Sequence, residues 1–157
     1  MKKNRFGGSL IFGVKMKYIN LFGLAVVLLL LVPNVIFMMK HREGFENKWS
    51  NRAVEILEQI GRFGCFISLS IRTGFWGFGS VADLFVYVIV DSVLLAAYLV
   101  IWAILWKKPG VTRALLLSII PSVLFIFSAA ISHEYVFLVF SLIFAPCHIL
   151  ISYKNAS

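Results

Sequence analysis

The sequence predicts an all-α, polytopic membrane protein, and three observations predict it. Four long runs, Tyr18–Met39, Leu84–Trp106, Ala114–Ser132 and Tyr135–Tyr153, carry one charge between them, Asp91. A helix of about 20 such residues matches the ~30 Å hydrocarbon core of a bilayer. Of the 157 residues, 61% are hydrophobic and 14% charged, with a mean hydropathy of +0.92, whereas a soluble domain has about a quarter of its residues charged. The Lys and Arg residues flank the apolar runs instead of lining one continuous face, the pattern that orients membrane proteins and meets anionic head groups. The net charge of +8 therefore does not point to nucleic acid.

The elements follow in order within a single integral membrane domain covering 1–157. Residues 1–17 form a basic tail (Lys2, Lys3, Arg5, Lys15, Lys17) against the first span, about 18–39. A charged stretch before an apolar one resembles a secretory signal. The run is too long for that, and no small-residue cleavage site follows it, so it reads as an uncleaved span. Pro33 removes a backbone donor and predicts a kink, with Asn34 beside it. After a hydrophilic loop, Asn51 is placed to cap a second helix, about 53–75. This helix carries Glu55, Glu58, Gln59 and Arg62 in its first turns before a clean apolar stretch. Thr73–Ser80, rich in glycine and aromatics, reads as a surface loop. The third span is about 84–106 and ends in Trp102, Trp106, Lys107 and Lys108 before a Pro109-Gly110 turn. The fourth, about 114–132, holds Pro121. A turn at His133 and Glu134, with the acid capping, leads to the fifth, about 135–153, which contains Pro146, Cys147 and His148.

Five spans place Lys40, Arg42, Lys48, Arg52, Lys107, Lys108, Arg113 and Lys154 on one side and Lys2, Lys3, Arg5, Lys15, Lys17 and Arg72 on the other. This small excess favours a cytoplasmic carboxyl terminus and an external amino terminus at the cell membrane. A natural start at Met16 would leave only Lys17 in the tail and sharpen the bias. A four-span alternative has the second helix lying along the interface, with both termini on one side.

Charges at membrane depth are costly and face protein or water. Glu55, Glu58 and Arg62 recur at spacings of three and four, hence on one face, with Glu58 and Arg62 in the favourable i,i+4 order. On a rise of 1.5 Å per residue, Asn34, Glu58 and His148 fall at one level, about 7 to 8 Å to the cytoplasmic side of centre. Arg62 and Asp91 lie near the centre, close enough in depth to pair. The candidate polar cluster is therefore Asn34, Glu55, Glu58, Gln59, Arg62, Asp91 and His148. Either it exchanges protons, with Arg62 held by Glu58 and Asp91, or it is structural glue between helices. Gly61, Gly64, Cys65 and Ser68 mark a face for close helix contact.

Cys65 and Cys147 differ in depth by about 10 Å, beyond disulfide reach, and neighbouring Cys147 and His148 do not form a metal site. No metal or cofactor is expected, and no phosphate loop, nucleophile elbow or zinc-protease signature is present. The chain reads as a membrane subunit or small-solute or ion carrier with no catalytic domain of its own. Its expected partners are the lipid bilayer and, for a subunit, another membrane protein. The competing readings are an intramembrane enzyme acting on a lipid-like substrate and a partner-binding structural or immunity-type protein.

Overall fold

The computed structural model describes residues 19–40, 49–71 and 77–157. The basic tail with Met16, the loop charges Arg42 and Lys48, and Arg72 with the first half of the glycine-aromatic loop lie outside the described residues. The rest is all-helical: α1 (Leu21–Lys40), α2 (Arg52–Ser70), α3 (Val81–Leu105), α4 (Val111–Ile131) and α5 (Tyr135–Ala156). All but α2 are long and apolar enough to cross a membrane. With Arg52, Glu55, Glu58 and Arg62 in 19 residues, α2 differs in charge rather than in length, since 19 residues rise about 28 Å.

Local chemistry sets the ends. Asn51 accepts from the Val54 amide and caps α2, as its side chain suggests. α3 begins at Val81, three residues earlier than the apolar run, because Ser80 and Asp83 form a reciprocal capping box (Asp83 N to Ser80 Oγ 3.2 Å, Ser80 N to Asp83 Oδ2 2.7 Å). α1 begins only at Leu21, because Ile19 pairs with Ile71 and the Asn20 amide donates to Ser70 O (2.9 Å) in a short antiparallel bridge. It then runs through Pro33 to Lys40. α4 closes with paired turn bonds, His133 N to Ala130 O (3.3 Å) and Glu134 N to Ala129 O (3.1 Å), which place His133 at φ 55°. That left-handed position is one glycine usually fills. Glu134 holds the N-cap position of α5 but makes no cap bond with its side chain, contrary to its expected capping role.

The helices alternate in direction. Asn20, before α1, meets the end of α2, while the Trp49 amide, before α2, donates to Asn155 near the end of α5 (3.0 Å). α2 thus runs the full height of the bundle. Neighbours follow the order α1, α2, α5, α4, α3 and back to α1, with α2 also reaching α4. Lys40, Arg52, Lys107, Lys108, Arg113 and Lys154 gather at one end. The described charges near the other are Asp83 and Glu134.

Lipid is as apolar as the helices, so packing and hydrogen bonds hold such a bundle, not the hydrophobic effect. Two asparagine–tyrosine clasps join α1 to α3: Asn20 Nδ2 to Tyr87 Oη (3.0 Å) near one end and Asn34 Nδ2 to Tyr98 Oη (2.7 Å) toward the other. Phe125 of α4 lies against Phe66 of α2 and against Phe137 and Phe144 of α5. At the basic end Phe37, Trp102 and Trp106 stack beneath Lys40 and Arg113, an aromatic and cationic belt of the kind that sits at head-group level.

Candidate functional site

Three of the predicted residues meet where α2 crosses α5. Glu58 is 2% exposed although it is an acid in an apolar bundle. Its Oε1 accepts from Arg62 Nε (2.9 Å) and from Arg62 Nη2, one turn along the same helix, and meets His148 Nδ1 of α5 at 2.9 Å. A buried carboxylate is tolerated when it is paired and hydrogen-bonded. The side chains of Arg62 and His148 remain partly open, at 34% and 22%. The arrangement is therefore a sealed anion under two cationic or protonatable groups that stay accessible.

The sequence builds this contact with small residues. Glu58, Gly61, Gly64, Cys65 and Ser68 form the buried face of α2, each three or four residues from the next and hence on one side. A Cβ at Gly61 would lie 2.8 Å from the Phe144 backbone nitrogen, and one at Gly64 would lie 2.2 Å from Phe140 Cγ. The two glycines therefore let the backbones approach closely enough for Glu58 to reach His148. Phe144, one turn before His148, stacks on the imidazole (centroids 4.6 Å apart, 19° between planes). The stack fixes the ring plane and leaves Nδ1 on Glu58.

Of the remaining candidates, Asn34 and Asp91 stand apart. Asn34 lies toward the same end but is committed to Tyr98 Oη and to Leu30 O (2.9 Å). Glu55 is half-buried a turn before Glu58, and Gln59 is exposed. Asp91 corrects the expected pairing with Arg62: it is fully buried and bonded through Oδ2 to Ser128 of α4 (2.6 Å), whereas the guanidinium is bonded to Glu58. Similar depth does not bring two side chains together when they leave their helices in different directions. Cys65 and Cys147 are free.

Ser128, Tyr98 and Phe144 are the polar and aromatic partners that the sequence reading missed. Their signal was periodicity: Tyr98 shares the buried face of α3 with Tyr87, Asp91, Leu95 and Trp102, Ser128 that of α4 with Leu124 and Phe125, and Phe144 that of α5 with Phe137 and Ser141, at helical spacing. Comparison with known protein families, with curated proteins and with solved structures found no match, so the site is interpreted from its own geometry.

Proposed function

We propose that this chain is a five-span protein of the cell membrane that serves as a small-solute or ion carrier, or as the membrane subunit of one, with Glu58, Arg62 and His148 as its exchangeable polar centre. The observation that carries this reading is a fully buried carboxylate shared between an arginine and a histidine that both keep an open side. With Nδ1 held on Glu58, Nε2 is the ring nitrogen left to meet a solute or ion. Ionisable groups at membrane depth mark ion or proton pathways by default.

In this reading α2 crosses with the other four helices. Its length, its antiparallel contacts at both ends and its inward polar face support the crossing, and its four charges are the reason composition alone sets it apart. The basic end, with Lys40, Arg52, Lys107, Lys108, Arg113 and Lys154, is cytoplasmic by the positive-inside rule. The carboxyl terminus is therefore inside and the amino terminus outside.

Two experiments test the proposal. In a chain lacking Cys65 and Cys147, single cysteines placed at Ser50 and Gly77 should be labelled from opposite faces of the membrane, and labelling from one face refutes the crossing of α2. For activity, the full chain is reconstituted in liposomes loaded with a pH-sensitive dye, and a potassium diffusion potential is imposed. Proton flux above protein-free liposomes is expected, reduced at least about tenfold by Glu58→Gln, the scale of losing ~1.4 kcal/mol of site stabilisation. Flux unchanged by that substitution removes Glu58 from the pathway, and no flux removes protons as the cargo.

A further inference from the structure

The buried carboxyl between α3 and α4 poses a separate question: what compensates its charge. Asp91 sits at the middle of α3, entirely buried, and its Oδ1 has no hydrogen-bond partner among the described residues. Among the described residues no cation is bonded to it. The described Lys and Arg of the two helices packed on α3 are Arg113 of α4, held at Trp106 O (3.3 Å), and Lys40 of α1, beside Trp106, both at the basic end. Arg62 of α2 is bonded to Glu58. The nearest acid on α3 itself, Asp83, is in the capping box at the helix start. A lone carboxylate in such a place costs several kcal/mol and takes a proton instead.

The hydrogen-bond geometry points the same way. Ser128 Oγ lies 2.6 Å from Asp91 Oδ2 and 2.8 Å from Leu124 O, one turn back along α4. A hydroxyl has one hydrogen to give, and shared between two acceptors it serves each less well than a hydrogen apiece. The other buried serines of α4, with Ser132 at its C-cap, show where the hydroxyl hydrogen goes. Ser118 donates to Leu115 O, Ser122 to Ser118 O and Ser132 to Ser128 O, each a carbonyl three or four residues back. With Ser128 donating likewise to Leu124 O, the hydrogen in the 2.6 Å contact belongs to the carboxyl. Oδ1 is then the carbonyl oxygen of a neutral acid, and leaving it without a donor costs far less than leaving a charged oxygen bare.

We infer that Asp91 is a second proton-binding site, loaded at neutral pH and closed by the α3–α4 contact, in which the carboxylic O–H donates to Ser128 Oγ and Ser128 relays to Leu124 O. Its ligand is the proton. Release breaks the O–H bond of Asp91 and passes the proton to water, which reaches the carboxyl only when α3 and α4 part. This site is independent of Glu58 and holds whether or not the chain transports protons.

Asp83 and Asp91 are the two aspartates of the chain, so labelling the aspartate side-chain carboxyl carbon isolates the question. Infrared spectra of the full chain in nanodiscs near neutral pH should show half of the labelled signal as carboxylic acid and half as carboxylate. Asp91→Asn should abolish the acid band, and Glu58→Gln should leave it in place. Ser128→Ala should retain the band and shift it toward that of an acid without a hydrogen-bond acceptor. Labelled signal wholly in the carboxylate form in the unsubstituted protein overturns the inference, and that measurement stands even if Asp91→Asn does not fold. An acid band that survives Asp91→Asn, or one indifferent to Ser128→Ala, overturns it too.

Discussion

Glu58 and Asp91 are acids buried to nearly the same degree, 2% and 0% exposed, yet the bundle accommodates them in opposite ways. Around Glu58 it supplies Arg62 from the same helix and His148 from the next, so the carboxylate is retained as a charge. Around Asp91 it supplies one hydroxyl and, among the described residues, no cation, an environment suited to a neutral acid. The difference lies in the helices that carry them. α2 is charged through its first half and meets a protonatable neighbour, while α3 is apolar on either side of Asp91 and meets the serines of α4. Burial by itself does not determine the ionisation of a group. The donors and charges placed opposite it do.

That contrast is broken most directly by removing the charge on α2. Glu58→Leu leaves Arg62 and His148 without their shared acceptor and is expected to cost about 3 kcal/mol, the low end for breaking a buried pair because both partners are partly open; thermal unfolding in detergent measures it. Next comes Gly61→Ala. The added Cβ meets the Phe144 backbone at 2.8 to 2.9 Å, so α2 and α5 must separate, at about 2 kcal/mol for overpacking. The same unfolding series should show Glu58→Leu costing less in the Gly61→Ala background than alone, because the His148 contact is already weakened. If the two effects simply add, the close approach does not support the site.

On the other side of the comparison, Asp91→Asn replaces a neutral donor with another and should cost less than about 1 kcal/mol. A larger loss than that of Glu58→Leu would reverse the assignment of charge between the two sites. The Asn34–Tyr98 clasp, measured by a double-mutant cycle with Asn34→Leu and Tyr98→Phe, should couple by about 0.6 kcal/mol, the average for polar pairs inside membranes. His133→Gly acts outside both sites. It relieves a left-handed residue at φ 55° and should stabilise the protein by up to about 1 kcal/mol, seen as a raised melting temperature with liposome flux unchanged.

The polar contact of α2 with α5 is legible in the sequence, for a definite reason. In antiparallel spans of fixed rise, position along the chain gives depth, and depth places Glu58 level with His148. The face carrying Glu58, Gly61, Gly64, Cys65 and Ser68 was legible from spacing of three and four. Depth could not supply direction around the helix axis or the order of helices in the ring, and for that reason Asn34 and Asp91 were grouped with a cluster they do not join. Asn34 is taken by Tyr98, and Asp91 by Ser128. Helix starts were missed by about three residues where capping, not hydropathy, sets the boundary, as Ser80 and Asp83 do for α3.

By itself the sequence determined that four apolar helices and one charged helix must be built, because every backbone polar group in lipid has to be satisfied within its own segment. It also determined that acids at membrane depth, Glu58 and Asp91, must face the inside of the bundle. Only the tertiary structure decided which partners they find. Pairing depends on which faces meet across the bundle, and those faces are set by close contacts such as Gly61 on Phe144 and the Asn20 and Asn34 clasps, which join residues far apart in the chain.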